Sequence, residues 1–223
     1  MGTLIVMEGL DGSGKGTQTA LLFEALQSEG VPCRKISLPH YDAPSSALVK
    51  EYLAGAYGDK PGDVGAWAAS AFYAVDRYAG FKTIWGADYA AGTVILADRY
   101  VTSNACHQMT KLPQTEWDAF LSWLGDFEYN KLGVPRPDLV VYLDMPVSVS
   151  QTLLQSRYDG DNAKKDVHER DTAYLAACRE AALYAAEKEG WRVIRCSENG
   201  APRTREAIAR DVLALVRRVV PHA

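Results

Sequence analysis

One stretch near the start of the chain, residues 4–17, constrains the fold more than any other. It reads LIVMEGLDGSGKGT, which is an apolar run, a glycine-rich turn, one lysine and the start of a helix-forming segment. The apolar run is typical of a buried parallel strand, and residues 18–28 carry apolar residues at helical spacing. A glycine-rich loop between such a strand and such a helix is typical of a phosphate-binding loop.

The loop matches seven of the eight positions of G-x-x-x-x-G-K-[ST]. Glycines allow backbone N–H groups to surround a phosphate, and the helix N-terminus adds partial positive charge. We predict that Lys15 reaches the β- and γ-phosphates of a nucleotide. The eighth position is Gly16, and the hydroxyl comes one residue later, on Thr17. The hydroxyl that usually binds Mg²⁺ is therefore absent from its usual position. The predicted phosphate-binding residues are Gly9, Leu10, Asp11, Gly12, Ser13, Gly14, Lys15, Gly16 and Thr17.

Composition limits the class of protein and its partners. With 223 residues and 48% apolar residues, we predict a single α/β domain over residues 1–223. The net charge of −4 gives no general basic field, which argues against nucleic acid and for a small anionic ligand. The four cysteines lack metal-binding spacing and are expected to be reduced. No apolar run reaches the roughly 18 to 20 residues that span a bilayer, so we expect no membrane partner and a cytoplasmic location.

Four further predicted strands follow, separated by helical patterns. We place strands at residues 34–38, 93–98, 139–144 and 193–196. Five strands that alternate with helices predict an α/β fold, a five-stranded parallel sheet with helices on both faces. The aromatic helical pattern of residues 66–89 is typical of a core or a dimer face.

The strand at residues 93–98 ends in a polar segment. Asp98, Arg99 and Tyr100 come at its carboxyl end, followed by Val-Thr-Ser-Asn. Open α/β sheets bind their ligands at this end of the strands. An arginine and several hydrogen-bonding groups there indicate a second substrate, although an Arg–Asp pair can also be structural.

Six segments together resemble the thymidylate kinases, nucleoside monophosphate kinases that transfer the γ-phosphoryl group of ATP to dTMP. They are GLDGSGKGTQ, LPHY, FYAVDR, DRYVTSNA, RPDLVVYLD and DVHE, and they span nearly the whole chain. The resemblance implies the P-loop kinase fold with a mobile lid at about residues 157–170. It also implies ATP as co-substrate, Mg²⁺ as cofactor and a homodimer.

The same resemblance implies roles for single residues. Asp11 corresponds to the carboxylate near the 3′-hydroxyl and the transferred phosphate, and Arg99 to the clamp on the acceptor phosphate. Tyr73 corresponds to the aromatic residue that stacks on thymine, and Arg77 and Asn104 to the readers of its edge. Further dTMP contacts are implied for Pro39, Tyr41, Ser103 and His107, and Mg²⁺ ligands for Thr17, Asp98 and Glu169.

The lid supplies the last implied group of residues. Gly12 and Ser13 offer no arginine in the loop, so the chain resembles the members of the family whose lid supplies the basic groups. The lid cations are Arg157, Lys164, Lys165 and Arg170, and the implied catalytic residues are Asp11, Lys15, Arg99 and Arg157. His107 stands where many members have tyrosine or phenylalanine beside the sugar.

Four alternatives remain open at this point. Another nucleoside monophosphate kinase is favoured by the GKGT order, which also occurs in adenylate kinases. A deoxynucleoside kinase would need a carboxylate base near a 5′-hydroxyl, for which Glu8 or Asp98 would serve. A GTP-binding switch protein needs N-K-x-D, and residues 130–133 lack the aspartate. A binding module without activity is disfavoured by Lys15 and Arg99.

Overall fold

A five-stranded sheet forms the centre of the protein. A computed structural model describes residues 1–58, 60, 62–157 and 172–220, without the side chains of residues 155–157. The strands of the sheet are β1 Leu4–Glu8, β2 Cys33–Ser37, β3 Val94–Asp98, β4 Leu139–Asp144 and β5 Arg192–Arg195. All neighbours are parallel, in the order β2-β3-β1-β4-β5. The predicted five-stranded parallel sheet is confirmed.

Helices connect the strands. They are α1 Lys15–Ser28, α2 Ala47–Leu53, α3 Ala66–Gly80, α4 Gly86–Ala90, α5 Thr102–Gln108, α6 Trp117–Gly125, α7 Val147–Arg157, α8 Thr172–Glu189 and α9 Arg205–Val216. The predicted helical pattern over residues 66–89 contains a π-helical turn at Phe81–Trp85, between α3 and α4. A second such turn, Asp126–Lys131, follows α6. A short hairpin of β6 Ser197–Glu198 and β7 Ala201–Pro202 comes before α9 and is not predicted by the sequence.

Both faces of the sheet are covered. Leu4 and Val6 of β1 pack into one core cluster with side chains from α5 and α6, and Ile5 and Met7 pack into a second cluster with α1 and α9. All four side chains are fully buried. Successive side chains of a strand point to opposite faces, so a strand covered on both faces is apolar throughout. This explains the continuous apolar run in the sequence.

The carboxyl ends of the central strands meet at one edge of the sheet. Met7 of β1 and Ser37 of β2 both lie opposite Asp98 of β3. The chain continues from β1 to one side through β2 and β3 and to the other through β4 and β5. Open α/β sheets bind ligands outside the strand ends where the order reverses in this way. The phosphate-binding loop and Asp98 therefore lie at the edge where a ligand is expected.

Helix α5 depends on tertiary contacts. Its sequence, TSNACHQ, contains residues that favour caps and turns and has no apolar helical period. The helix packs against α3 and α8, and the hydroxyls of Thr102 and Ser103 donate to the buried carboxylate of Glu8. These contacts stabilise a helix that local preference does not predict.

The cysteines are free thiols, as their spacing predicts. None of the four cysteines forms a disulfide, and Cys106, Cys178 and Cys196 are buried. Within the described residues, every helix is too short or too polar to cross a bilayer.

Gly80 ends α3 where there is no room for a side chain. A Cβ atom there would lie 2.1 Å from Cε1 of His40, whose backbone N–H donates to Asp76 at 2.8 Å. We expect Gly80→Ala to lower the free energy of unfolding by about 1 to 2 kcal/mol, because overpacking costs up to about 3 kcal/mol and alanine regains about 1 kcal/mol of helix propensity. Urea unfolding measures this. The control is Gly62→Ala, whose Cβ atom would meet no atom of the described residues within 4 Å, and it is expected to stay within about 0.5 kcal/mol. Equal stability of both variants would contradict the prediction.

Candidate active site

A cavity of about 1200 Å³ opens at the carboxyl edge of the sheet. This volume exceeds the roughly 300 to 1000 Å³ of a typical ligand pocket and fits two substrates. The cavity is lined by the predicted residues Asp11, Gly12, Ser13, Gly14, Lys15, Gly16, Thr17, Pro39, Tyr41, Tyr73, Arg77, Asp98, Arg99, Ser103, Asn104 and His107. Gly9 and Leu10 are not among its lining residues, and the buried side chain of Leu10 packs with Leu175 and Cys178.

The phosphate-binding loop has the backbone that its glycines predict. Gly12 and Gly14 have φ angles of 78° and 91°, a region that glycine enters without steric cost. A Cβ atom on Gly12 would also lie 2.7 Å from the carbonyl oxygen of Ser150. Helix α1 begins at Lys15, so the unpaired N–H groups of its first turn lie at the loop. The loop therefore has the form of an anion-binding cradle.

Lys15 lies inside this cradle. Its side chain is buried, and Nζ donates to the carbonyl oxygen of Leu10 at 3.0 Å and lies 3.5 Å from Oδ1 of Asp11. Burial lowers the pKa of Lys15, the charge of Arg99 lowers it further, and Asp11 acts in the opposite direction. A phosphate in the loop would meet this cation directly.

Arg99 connects the end of β3 to the loop. Its φ of 69° is unusual for a residue with a side chain, and such strained positions are common at functional sites. Nη2 donates to Oδ1 of Asp11 at 2.5 Å, and Nη1 lies 3.3 Å from Nε2 of His107. A guanidinium only donates hydrogen bonds, so Nε2 of His107 is the acceptor in this contact. The guanidinium of Arg99 is thus held by a residue on either side.

Asp11 is the acid of this cluster. Burial acts to raise its pKa, but the charges of Arg99 and Lys15 outweigh burial and hold the pKa of Asp11 well below its usual value. The carboxylate is therefore ionised at neutral pH and remains paired with Arg99.

Glu8, at the end of β1, is buried and carries three short hydrogen bonds. It accepts from the backbone N–H of Gly9 at 3.0 Å and from the hydroxyls of Thr102 and Ser103 at 2.8 and 2.7 Å. It is not among the residues that line the cavity. Glu8 therefore joins β1, the loop and α5. Ser103, predicted to contact dTMP, lines the cavity but donates its hydroxyl to Glu8.

Arg77 and Asn104 meet a buried acid that the sequence does not identify. Nε and Nη2 of Arg77 donate to both oxygens of Glu128 at 2.6 and 2.8 Å, and Nδ2 of Asn104 donates to Oε1 of Glu128 at 3.2 Å. Glu128 is fully buried. The only signal in the sequence is an acid at the end of an aromatic helical pattern, and nothing local marks it as buried.

The walls of this part of the cavity are aromatic. Tyr73 lies edge-on to Tyr52, with ring centroids 6.4 Å apart, and burial raises the pKa of Tyr73. Tyr41 is half-exposed at the mouth. The segment that carries Pro39 and Tyr41 is tied to α3, because Asp76 accepts from the backbone of the intervening residue and from a serine at 2.8 and 2.6 Å. A flat ligand would fit between these side chains.

Lys111 supports Tyr52 from outside the cavity. Its Nζ donates to the Tyr52 hydroxyl and to the carbonyl oxygen of Val64, both at 2.9 Å, and burial lowers its pKa to about 8 from 10.5. A lysine with a lower pKa in the folded than in the unfolded state opposes folding below pH 8. That penalty disappears between pH 8 and 10.5, where only the unfolded state keeps the proton.

We expect a pH dependence of stability that Lys111→Met removes. Between pH 8 and 10, the free energy of unfolding of the wild type should rise relative to that of the variant, because only the wild type loses the penalty at Lys111. Urea unfolding of both proteins at several pH values measures the difference. Parallel pH profiles would contradict the assignment.

Asp98 and Thr17 lie beside the loop. A Cβ atom on Gly16 would lie 3.6 Å from Oδ2 of Asp98, and Thr17 is exposed and lines the cavity. Among the described residues, no three His, Cys, Asp or Glu side chains form a metal cluster. Mg²⁺ usually binds through one or two carboxylates, with waters and substrate phosphates as its other ligands. One carboxylate and one hydroxyl beside a phosphate-binding loop fit this donor set.

The cavity has further lining residues that the sequence does not assign. Arg203 and Arg205 reach it from the segment after the unpredicted hairpin, and the Nε2 group of Gln18 donates to the carbonyl oxygen of Arg205 at 3.1 Å. Others are Tyr52, Gln108 and Tyr174. The predicted lid at about residues 157–170 lies outside the described residues, as do the side chain of Arg157 and the whole of Lys164, Lys165, Glu169 and Arg170.

Three comparisons with known proteins give one family. A family model described as thymidylate kinase matches residues 7–208. The thymidylate kinase of Mycobacterium tuberculosis is 31% identical over 191 residues, with 84% of this chain and 87% of that protein covered. A probable thymidylate kinase of Pyrobaculum aerophilum is 28% identical over 216 residues, with 97% of each chain covered. The solved structure of the Candida albicans thymidylate kinase superposes with a TM-score of 0.70 at 20% identity, with 97% of this chain and 92% of that chain covered.

Proposed function

This chain belongs to the thymidylate kinase family, whose reaction is the ATP-dependent phosphorylation of dTMP to dTDP, and we propose that the cavity at the carboxyl edge holds both substrates. The observation that carries this proposal is the convergence of Lys15, Asp11 and Arg99. It joins the phosphate-binding loop to the end of β3, so that a donor phosphate and an acceptor phosphate would meet there.

On the donor side, the loop and the N-terminus of α1 bind the ATP phosphates. Lys15 exchanges its contact with the Leu10 carbonyl for a phosphate oxygen, which offers a charged partner in place of a neutral one. Its charge then acts on the oxygens that become more negative during transfer, and because Lys15 is buried this charge is weakly screened.

On the acceptor side, Arg99 binds the phosphate of dTMP. Its pairing with Asp11 and His107 holds the guanidinium in place before substrate arrives, which reduces the ordering needed on binding. Transfer of the γ-phosphoryl group is in line. Because the dianionic phosphate of dTMP is itself the nucleophile, no general base is needed. Asp11 therefore orients Arg99 and the transferred group.

The base lies between the aromatic walls. Tyr73 stacks on thymine, Arg77 donates to O4, and Asn104 faces the neighbouring ring position. Pro39 and Tyr41 close the mouth. All five line the cavity.

Asp98 and Thr17 would hold the Mg²⁺. When bound, the ion neutralises negative charge on the phosphates of ATP. The roles of Glu169 as a further ligand and of the lid cations Arg157, Lys164, Lys165 and Arg170 stay predictions.

A homodimer is supported by one surface. Apolar side chains on α3 and the following turn are exposed, namely Trp67, Val75, Tyr78 and Ile84. An exposed apolar patch is typical of a protein interface, and these four side chains are the candidates for one. Sedimentation at several concentrations tests the dimer. The cytoplasmic location stays a prediction from composition.

The proposal is tested by the formation of ADP from ATP and Mg²⁺ with a panel of nucleosides and nucleoside monophosphates. We expect dTMP to give the highest kcat/KM. Preferred phosphorylation of a nucleoside would favour a deoxynucleoside kinase instead. That alternative is weakened because Glu8, one of its two candidate bases, has three donors and does not line the cavity.

A further inference from the structure

Glu128 sits behind both of the residues assigned to the edge of the base. Its carboxylate is 0% exposed, and Arg77 and Asn104 are 3% and 2% exposed. It lies on the turn after α6, whereas Arg77 is on α3 and Asn104 on α5. One buried acid thus joins the two residues across three elements of the fold.

The pairing decides which donors of Arg77 remain for a ligand. An arginine carries five N–H donors in a fixed plane. Glu128 takes one from Nε and one from Nη2, at 2.6 and 2.8 Å. The Nη1 group lies outside this pair. Because Arg77 also lines the cavity, it offers the base a donor and no acceptor.

The pairing also sets the orientation of the Asn104 amide. Nδ2 has two N–H donors and two acceptors close by, Oε1 of Glu128 at 3.2 Å and the carbonyl oxygen of Ser70 at 3.3 Å. A flipped amide would place its oxygen against both of these acceptors, with no proton between them. The group of Asn104 that remains for a ligand is therefore Oδ1, an acceptor.

We propose that Glu128 is a positioning residue that sets the hydrogen-bond polarity of the base pocket, a donor from Arg77 beside an acceptor from Asn104. This inference rests on the proposed function. Thymine and uracil present O4 as an acceptor and N3–H as a donor, which complements the pocket at both positions. Cytosine presents an N4–H₂ donor to the donor of Arg77 and an N3 acceptor to the acceptor of Asn104, so it is mismatched at both positions. Glu128 would therefore select 4-oxopyrimidines without touching the base.

The charge of Glu128 is essential to this role. Burial acts to lower the pKa of Arg77, but Glu128 outweighs burial and raises the pKa of Arg77 above its usual value. Removal of one partner from a buried ion pair leaves the other charge uncompensated. A neutral amide in place of Glu128 has one acceptor oxygen instead of two. In one orientation its NH₂ group faces the Nε–H donor of Arg77, and in the other it faces the donors of Arg77 Nη2 and Asn104.

The test is the ratio of kcat/KM for dTMP to kcat/KM for dCMP, measured together with the free energy of unfolding. For Glu128→Gln we expect this ratio to fall by about tenfold or more, because Arg77 loses an acceptor and its paired charge, so that Arg77 and Asn104 are no longer fixed in one orientation. Glu128→Asp keeps the negative charge, but its side chain is one methylene shorter, so the carboxylate lies farther from Asn104. We therefore expect a smaller fall in the ratio, and better folding, than for Glu128→Gln. The control Asp118→Asn changes an exposed acid on α6 and should keep the wild-type ratio.

The outcomes separate the inference from the proposed function. If both Glu128 variants keep the wild-type ratio while only their stability changes, Glu128 is structural and the inference is overturned. If Glu128→Gln does not fold, a wild-type ratio in Glu128→Asp overturns it and a lowered ratio supports it. If the wild type itself shows no preference for dTMP over dCMP, the proposed function fails instead.

Discussion

Lys15→Ala is expected to leave the protein folded and to lower kcat by a factor of about 10³ to 10⁵, the range in which arginine groups that stabilise phosphoryl transfer contribute. Lys15 is buried in the cradle, where a charge acts strongly on the oxygens of the transferred group because little water screens it. The fold should persist, because alanine is favourable in the first turn of α1 and the substitution removes a buried charge.

Steady-state kinetics with ATP and dTMP measure the loss, and circular dichroism checks the fold. Lys82→Ala, which removes an exposed lysine from the turn after α3, is the matched control and should keep wild-type turnover. If Lys15→Ala keeps more than half of wild-type turnover, the loop does not act on the transferred phosphate and the prediction is wrong.

The second large effect concerns the base. We expect kcat/KM to decrease in the order dTMP, dUMP, dCMP. Cytosine brings an N–H donor to Arg77, which only donates, so both groups stay unpaired in a desolvated pocket; a mismatch of this kind costs on the order of 10⁴ in kcat/KM. Loss of the thymine methyl costs less, about 10- to 200-fold, because one methyl group in an apolar pocket is worth roughly 1 to 3 kcal/mol.

The assay compares the three monophosphates, with AMP as a purine control, under the same ATP and Mg²⁺ concentrations. If dCMP or AMP is a better substrate than dUMP, Arg77 does not contact O4. The alternative of another nucleoside monophosphate kinase would then account better for the cavity.

Much of the fold could be predicted because its signals are local. The apolar run before Gly9, the glycines of the loop and the helical pattern after Lys15 lie within one short segment, and each follows from backbone conformation or from burial on both faces of a sheet. Local preference failed at α5, where polar residues form a helix only because Glu8, α3 and α8 contact it.

The candidate site likewise has features that the sequence predicts and contacts that only the fold creates. The sequence alone determines that a buried strand leads through a phosphate-binding loop into a helix, and that an acid and an arginine follow another strand. Only the tertiary structure decides the partners, because Arg99 meets Asp11 across 88 residues of chain and Arg77 meets Glu128 across 51. A buried ion pair has no periodic signature in sequence, since its partners become neighbours only when the helices pack. The sequence therefore identifies the phosphate-binding chemistry, and the fold decides which residues hold the acceptor and the base.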